Sequence, residues 1–342
     1  MSRTIYYLGA GSSCGRRDGS GGILEGLPVV SEIPSQFDAF RDYIAKAEVP
    51  PEGVVFQQLY RTRASDIENE KKYMLADIDS LKDKIREHAT IDTYARKLYL
   101  TGDFRAFAKL KDILCAFFVW EQLEHKPDNR YDTFLANVLE AETLMLPSDI
   151  SIISWNYDSQ IEMAYKAYHK SQTLQIFEKN IQNEWPQLSK FGRLFKVNGS
   201  ATFADKTIIP YILADTDSPR DIQLIQFYSS TRSDTSQLGF QFKTHLSFAW
   251  EDSKNQQNMK DSIAATVQDT QQMVVIGYSF PFFNRETDRF IIGKMRNLKK
   301  IYVQDLQPEA VTQSLAAVLP LDSSIKVISV RDCTQFYLPA EL

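Results

Sequence analysis

The sequence has few cysteines, and their spacing matches no disulfide-rich or zinc-binding pattern. Its 342 residues include three, Cys14, Cys115 and Cys333, which lie far apart in the chain. Since no two of them form a CxxC pair, the sequence excludes a disulfide scaffold and a cysteine zinc ribbon. We therefore expect no structural metal, and a reducing compartment such as the cytoplasm.

Long apolar runs and an excess of positive charge are also missing. No segment approaches the roughly 20 apolar residues that span a bilayer, and the run at residues 5–8 is shorter than the apolar region of a signal peptide. The 39 Lys and Arg residues are outnumbered by 44 Asp and Glu residues, which gives a net charge of −5. Such a chain has no general positive field for a polyphosphate backbone. We expect a soluble, cytoplasmic protein with no membrane partner and no direct nucleic-acid partner.

Short apolar segments that end in glycine or polar residues recur along the chain. They predict buried strands at residues 5–8, 150–155, 193–197, 273–276, 301–303 and 326–330. Between residues 37 and 146 the apolar residues instead follow helical spacing. The sequence therefore predicts an α/β fold with a Rossmann-like open parallel sheet, whose ligand crevice lies at the carboxyl ends of the strands. Residues 1–36 and 147–342 form this core, and residues 37–146 form a large helical insertion.

The first predicted strand runs directly into the turn Gly-Ala-Gly-Ser-Ser at residues 9–13. A glycine turn between a strand and a helix presents backbone N–H groups to a diphosphate. The spacing departs from the dinucleotide fingerprint G-x-G-x-x-G, because Cys14 stands at the third glycine position and Gly15 comes one residue late. The turn is therefore open to two interpretations, a phosphate-binding turn and a purely structural tight turn.

Polar residues also follow three later strands. Asn156 and Asp158 come after the second strand, where they place an amide and a carboxylate at the crevice or cap the next helix. Asn198 begins an Asn-Gly pair after the third strand, and this dipeptide is also a common turn. Gly277 and Ser279 follow the fourth strand, in a segment that would let a ligand approach the backbone. Each strand end is ambiguous by itself, and only their order along the chain is informative.

The order of these strand ends resembles the sirtuin-like NAD-binding domain family. Gly-Ala-Gly-Ser, Trp-Asn-Tyr-Asp, Val-Asn-Gly-Ser and Ile-Gly-Tyr-Ser-Phe-Pro follow one another along nearly the whole chain, whereas residues 37–146 match nothing specific. The resemblance implies a sheet of sirtuin type, NAD as the ligand, and Asn156 as the catalytic asparagine beside the nicotinamide ribose, supported by Asp158. It implies that the diphosphate is held by Gly9, Ala10, Gly11, Ser12 and Ser13, and the adenosine side by Gly277, Ser279 and Asp305.

Two departures from the family pattern bear on the activity. Sirtuin deacylases carry a zinc module of two CxxC pairs, and this sequence has none, so it is most similar to the bacterial antiphage-defence branch that hydrolyses NAD. Where the family pattern reads His-Gly after the third strand, this chain has Asn198-Gly199. An amide is no base, although Asn198 would hold a water or a ribose hydroxyl by hydrogen bonding. The histidines of the chain are expected to be exposed on helices: His88, His125, His169 and His245.

Cleavage of NAD between ribose and nicotinamide forms a ribosyl cation and releases a good leaving group, so charge stabilisation carries most of the rate. Asp158 is the carboxylate best placed to provide it. By the resemblance, we expect an NAD glycohydrolase that releases nicotinamide and ADP-ribose and acts as a toxic effector in abortive infection. Such an effector is restrained by oligomerisation or by a sensor partner, such as a short Argonaute, a DNA translocase or a nucleotide-processing enzyme. The alternatives are a module that binds NAD or an ADP-ribose derivative as a regulatory ligand, and an α/β interaction protein with an empty pocket.

Overall fold

The structure is a computed structural model that describes residues 3–49, 64–88, 90–168, 191–201, 219–232, 246–320 and 324–342. Its strands are β1 Thr4–Leu8, β2 Ile150–Ser154, β3 Leu194–Lys196, β4 Gln272–Ile276, β5 Lys300–Gln304 and β6 Lys326–Val330. Its helices are α1 Ile33–Lys46, α2 Ala64–Glu87, α3 Ile91–Leu100, α4 Phe104–Glu124, α5 Asn129–Val138, α6 Gln160–Lys166, α7 Arg220–Thr231, α8 Lys254–Thr266, α9 Arg285–Lys294 and α10 Pro308–Ala316. None of these described helices has both the length and the apolar character needed to cross a membrane.

The strands form one open sheet in the order β3-β2-β1-β4-β5-β6. Every pairing between neighbouring strands is parallel. This arrangement confirms the predicted α/β fold with a Rossmann-like sheet. The strand order reverses between β1 and β4, and ligands of open α/β sheets bind at such a switch point, outside the carboxyl ends of the strands.

Strand β1 joins the two halves of the sheet. All five of its residues are buried, as expected of a parallel strand that is covered on both faces. Its last residue, Leu8, pairs with Ser154 of β2 and with Ile276 of β4. The three strands therefore end level, and the turns that begin at Gly9 and Gly277 lie side by side.

Alternate residues of the strands contribute to two separate cores. Tyr6 lies in one core, together with Ile152 of β2 and the apolar residues of α5. Tyr7 lies in the other, together with Trp155 and Phe280. Successive side chains of a strand point to opposite faces, so each face of the sheet has its own set of covering elements.

The chain divides into two compact units. The first comprises Met1–Leu27, Lys126–Gly199 and Ser247–Leu342, and it contains the whole sheet. The second comprises Pro28–His125 and Ser200–Leu246, and it contains α1 to α4 and α7. The sheet unit is thus assembled from three separate stretches of the chain.

Two helices are grouped differently from the predicted boundaries, which place residues 37–146 in the helical insertion and residues 147–342 in the core. Helix α7 belongs to the helical unit, where the hydroxyl of Tyr228 donates to Asp77 of α2. Helix α5 belongs to the sheet unit, because its apolar stripe packs in the core that contains Tyr6. That stripe consists of Tyr131, Phe134, Leu135 and Val138.

The helical unit has its own core, built around α4. Most residues of α4 are buried. Phe117 of α4 stacks on Phe37 of α1 with ring centroids 4.4 Å apart, and Trp120 of α4 lies 5.3 Å from Phe40 by the same measure. Aromatic pairs at such distances add to the free energy of area burial.

Candidate functional site

The turns after β1 and β4 are in direct backbone contact at the switch point. The N–H of Gly11 donates to the Gly277 carbonyl over 3.0 Å, and the N–H of Gly9 donates to the Ile276 carbonyl over 3.0 Å. A Cβ on Gly11 would lie 2.7 Å from the Gly277 Cα, and a Cβ on Gly277 would lie 2.4 Å from Gly11. Gly277 also has a φ of +58°, which side chains disfavour. Backbone packing therefore requires both glycines, whatever the turn binds.

The carbonyl of Gly9 is held by three donors. They are the Ser12 N–H at 2.8 Å, the Ser12 hydroxyl at 2.8 Å and the Asn156 Nδ2 at 3.0 Å. In a trans peptide the N–H points away from the carbonyl of the same unit, so the Ala10 N–H points away from these buried donors. Ala10 is also the first residue of a short 3-10 turn, Ala10–Ser13, so its N–H precedes the hydrogen bonds of that turn. The Ala10 amide is the donor that the turn can offer to an anion.

A buried polar cluster supports the turn from the face that α5 covers. Asn156 Nδ2 also lies 3.0 Å from the Ser13 hydroxyl, and the Tyr131 hydroxyl lies 2.9 Å from that of Ser12 and 3.0 Å from that of Ser13. Burial, followed by the charge of Asp158, raises the pKa of the Tyr131 hydroxyl well above its ordinary value. Tyr131 therefore stays neutral, and Asn156 acts on the turn through hydrogen bonds.

Asp158 lies at the start of α6. Its Oδ1 accepts the N–H of Gln160, the first residue of α6, at 3.0 Å, while Ser159 occupies the N-cap position. Its carbonyl accepts from Lys196 Nζ, which lies 3.4 Å from Glu162 Oε1. Glu162 and Lys196 are both buried; burial raises the pKa of Glu162, and the Lys196 charge opposes that rise. This pair fixes the backbone between β2 and α6.

Asn198 ties two backbone segments together. Its Nδ2 donates to the Trp155 carbonyl at 2.8 Å, and its Oδ1 accepts the Ala249 N–H at 3.0 Å. The side chain is buried, and both ends of its amide are engaged. An amide has two N–H groups and two oxygen lone pairs, so one of each remains for a further partner.

The remaining predicted residues follow β4 and β5. Ser279 is exposed, while Tyr278 beside it is buried and stacks on Trp155 with ring centroids 5.1 Å apart. Asp305, at the end of β5, is half-buried and accepts the Gln307 N–H at 2.9 Å, just before α10. The structure thus brings Gly9 to Ser13, Asn156 and Gly277 into contact, and places Ser279 and Asp305 at the neighbouring strand ends of the same sheet edge.

A buried carboxylate behind the β4 turn was not predicted. Asp288 of α9 accepts the Tyr7 hydroxyl at 2.5 Å and the Tyr278 hydroxyl at 3.1 Å. Burial raises the pKa of Asp288 from 3.8 to about 7, and the two tyrosine hydrogen bonds oppose the rise. The sequence places Asp288 in the first turn of a polar helix, which is typical of an exposed residue, so it carries no signal for this role.

Helix α5 supplies a second set of residues that the sequence did not predict. Asp128, Arg130 and Tyr131 all contact the β1 turn. Asp128 also accepts the Arg130 N–H at 3.0 Å, as a helix cap does. The capping pattern and the apolar spacing predict a packed helix, but neither indicates that it packs beneath the glycine turn.

Among the described residues, no histidine lies at the carboxyl edge of the sheet, where it would act as a base. His88 and His125 follow α2 and α4 and are half-buried, which corrects the expectation of full exposure. The Nδ1 of His88 lies 2.8 Å from the Lys84 carbonyl, so a helix end accounts for its burial. His169 and His245 lie outside the described residues.

Metal ligands are likewise not grouped in the described part of the chain. No three His, Cys, Asp or Glu side chains there are placed to hold one metal ion together. No protein-family model matches this chain, and no curated protein matches it either.

Proposed function

We propose that the sheet edge at the β1–β4 switch point binds NAD and that the protein hydrolyses the bond between nicotinamide and ribose. The observation that carries the proposal is the pair of turns in contact at a topological switch point, where open α/β sheets bind nucleotides. A sheet of sirtuin type is part of the same proposal, and it rests on the resemblance of the strand ends.

The β1 turn has one backbone donor, the Ala10 N–H, that would bind a diphosphate. The N–H groups of Gly9, Gly11 and Ser12 already donate to protein carbonyls, whereas the Ala10 N–H points away from them. In the proposal Ala10 donates to the diphosphate, and the exposed Ser279 contacts the ribose of the adenosine half. Asp305, on the same side of the switch point, would lie nearer to the adenine.

The nicotinamide half then lies toward the end of β2. Water attacks the ribosyl carbon as the bond to nicotinamide breaks, and the products are nicotinamide, ADP-ribose and a proton. The Asp158 carboxylate stabilises the developing ribosyl cation, and Asn156 keeps the turn in position. The resemblance implies that Asn156 is the catalytic asparagine. In this proposal Asn156 acts instead through its hydrogen bond to the Gly9 carbonyl.

Such an activity would deplete NAD and would suit a toxic effector in abortive infection. The proposal includes restraint by oligomerisation or by a sensor partner, because free turnover would harm the cell that makes the protein. A second candidate is a module that binds NAD or ADP-ribose without turnover. It is favoured by Asn198, which is engaged with backbone at both ends and cannot accept a proton.

The test is to incubate the purified protein with NAD, alone and with the products of neighbouring genes, and to quantify nicotinamide and ADP-ribose by chromatography. Asn156→Ala should reduce turnover by about 100-fold, because the Gly9 carbonyl and the Ser13 hydroxyl lose the donor that Asn156 supplies. Asn137→Ala is the matched control: Asn137 is exposed on α5 and donates to the Thr133 carbonyl, and its removal should leave turnover unchanged.

Calorimetry with ADP-ribose separates the two candidates. Binding without turnover in any mixture supports the regulatory module. Neither binding nor turnover, with Asn156→Ala and wild type behaving alike, contradicts both proposals.

A further inference from the structure

Arg130 of α5 reaches the underside of the β1 turn. Its Nη2 lies 3.0 Å from the Gly11 carbonyl and 3.4 Å from the Ser12 carbonyl, and its Nη1 donates to the Cys333 carbonyl at 3.2 Å. Arg130 is only 8% exposed. A guanidinium is therefore buried against the carbonyl side of the turn, opposite the Ala10 amide.

Asp128 holds both this guanidinium and the far end of the turn. Its Oδ2 lies 2.5 Å from Arg130 Nη2 and accepts the Gly15 N–H at 2.8 Å. Burial alone would lower the pKa of Arg130, but the hydrogen bonds and the charge of Asp128 raise it above its ordinary value. Arg130 therefore stays charged. Arg130 holds the chain at Gly11, and Asp128 holds it at Gly15.

A chain of hydrogen bonds leads from Arg130 to the Ala10 amide. The guanidinium donates to the Gly11 carbonyl, and the N–H of that same peptide unit, on Ser12, donates to the Gly9 carbonyl over 2.8 Å. The N–H of the Gly9 peptide unit is the Ala10 amide. Successive hydrogen bonds polarise one another, so the positive charge strengthens the last donor of the chain.

We propose that Arg130, held by Asp128, is a positioning residue that orients and polarises the Ala10 amide for the diphosphate of a nucleotide. The inference rests on the proposed nucleotide binding and deepens it by assigning a role to α5. It gives the turn a source of positive potential without placing a charged side chain in the crevice.

The experiment compares the affinities of ADP-ribose and adenosine, measured by calorimetry. The test variant is Asp128→Asn with Arg130→Met, because removing both charges leaves neither of them buried and unpaired. It should weaken ADP-ribose by about 10- to 100-fold, the range of a lost charged hydrogen bond. Adenosine, which has no phosphate, should lose far less affinity.

Two further variants separate positioning from general damage. Arg130→Lys keeps the charge but loses the planar fork, so it should bind ADP-ribose with intermediate affinity. Arg289→Met is the matched control, since Arg289 also donates to a backbone carbonyl, that of Ala317, away from the turn. It should change neither affinity. Thermal unfolding confirms that each variant is folded.

Equal losses for ADP-ribose and adenosine, or no loss for either, would overturn the inference. If wild type binds no ADP-ribose, the proposed function fails, and hydrogen exchange at residues 9–15 then tests the positioning role by itself. Faster exchange in the double variant than in Arg289→Met supports that role. Equal exchange in the two variants refutes it.

Discussion

The turns after β1 and β4 touch each other, yet different contacts hold them. Hydrogen bonds from Asn156 and Arg130 fix the β1 turn. The β4 turn is held by Tyr278, which stacks on Trp155 and shares the buried Asp288 with a second tyrosine. The bonds at the β1 turn go to backbone carbonyls and fix the direction of its peptide groups. The contacts at the β4 turn fix the position of the Tyr278 side chain. The β1 turn is therefore suited to present a donor, and the β4 turn is suited to act as the rigid support behind it.

The largest effect should come from breaking the contact between the turns. Gly277→Ala places a Cβ 2.4 Å from Gly11 and forces a side chain onto a φ of +58°. Neither backbone can retreat, so the free energy of unfolding should fall by at least about 3 kcal/mol. Denaturant unfolding measures the loss.

Gly293→Ala is the matched control for that experiment. A Cβ at Gly293 meets no atom within 4 Å, and the residue lies in α9. The change should be neutral or should stabilise the protein by about 0.5–1 kcal/mol. Equal effects at Gly277 and Gly293 would show that the turns are not in contact.

The buried carboxylate of Asp288 predicts a pH dependence of stability on the β4 side. Because the pKa of Asp288 is raised from 3.8 to about 7, the folded state holds its proton more tightly than the unfolded state does. The contribution of Asp288 to stability is therefore fully present below pH 3.8 and is lost as the pH rises toward 7. The slope is at most about 1.4 kcal/mol per pH unit.

Asp288→Asn removes this titration and keeps a neutral side chain. The stability of the variant relative to wild type should increase between pH 4 and about 7 and then level off. Asp332→Asn provides a control of opposite sign, since hydrogen bonds from Thr334 lower the pKa of Asp332. Its relative stability should fall as the pH rises through the acid range. A flat difference for Asp288→Asn would contradict the raised pKa.

Two asparagines after β2 and β3 compare a side chain that supports the β1 turn with one that joins two other backbone segments. Asn198→Ala leaves the Trp155 carbonyl and the Ala249 N–H without their partner, so unfolding free energy should fall by about 2–3 kcal/mol. Asn156→Ala should cost only about 1 kcal/mol, because the Gly9 carbonyl keeps two donors from Ser12. A larger loss of unfolding free energy in Asn156→Ala than in Asn198→Ala would contradict this ranking.

The smallest expected effect concerns one hydroxyl beneath the β1 turn. Tyr131→Phe removes the oxygen that contacts Ser12 and Ser13 but keeps the ring packed on Phe336. The free energy of unfolding should fall by about 1 kcal/mol. Tyr73→Phe, at a side chain that is 54% exposed, should change it by less than about 0.5 kcal/mol. Calorimetric unfolding resolves the two.

The sequence predicts each strand to within one residue at either end. For β1, β2 and β4 it does so because strands buried on both faces are largely apolar runs, bounded here by glycine and polar residues. It also places the candidate residues at the edge where parallel strands end. It does not show that Asp158 binds the first N–H of α6 or that Asn198 binds backbone at both ends, because a polar residue after a strand has the same signature in a structural role as in a binding role.

The sequence by itself determined the parallel sheet, its strand ends and the position of the glycine turn, since these follow from local composition and spacing. Only the tertiary structure decided that α5 belongs under that turn, that Arg130 and Asp128 hold it, and that Asp288 is buried behind its neighbour. Such contacts join residues more than a hundred positions apart. They depend on which helix covers which face of the sheet, and no local pattern records that choice.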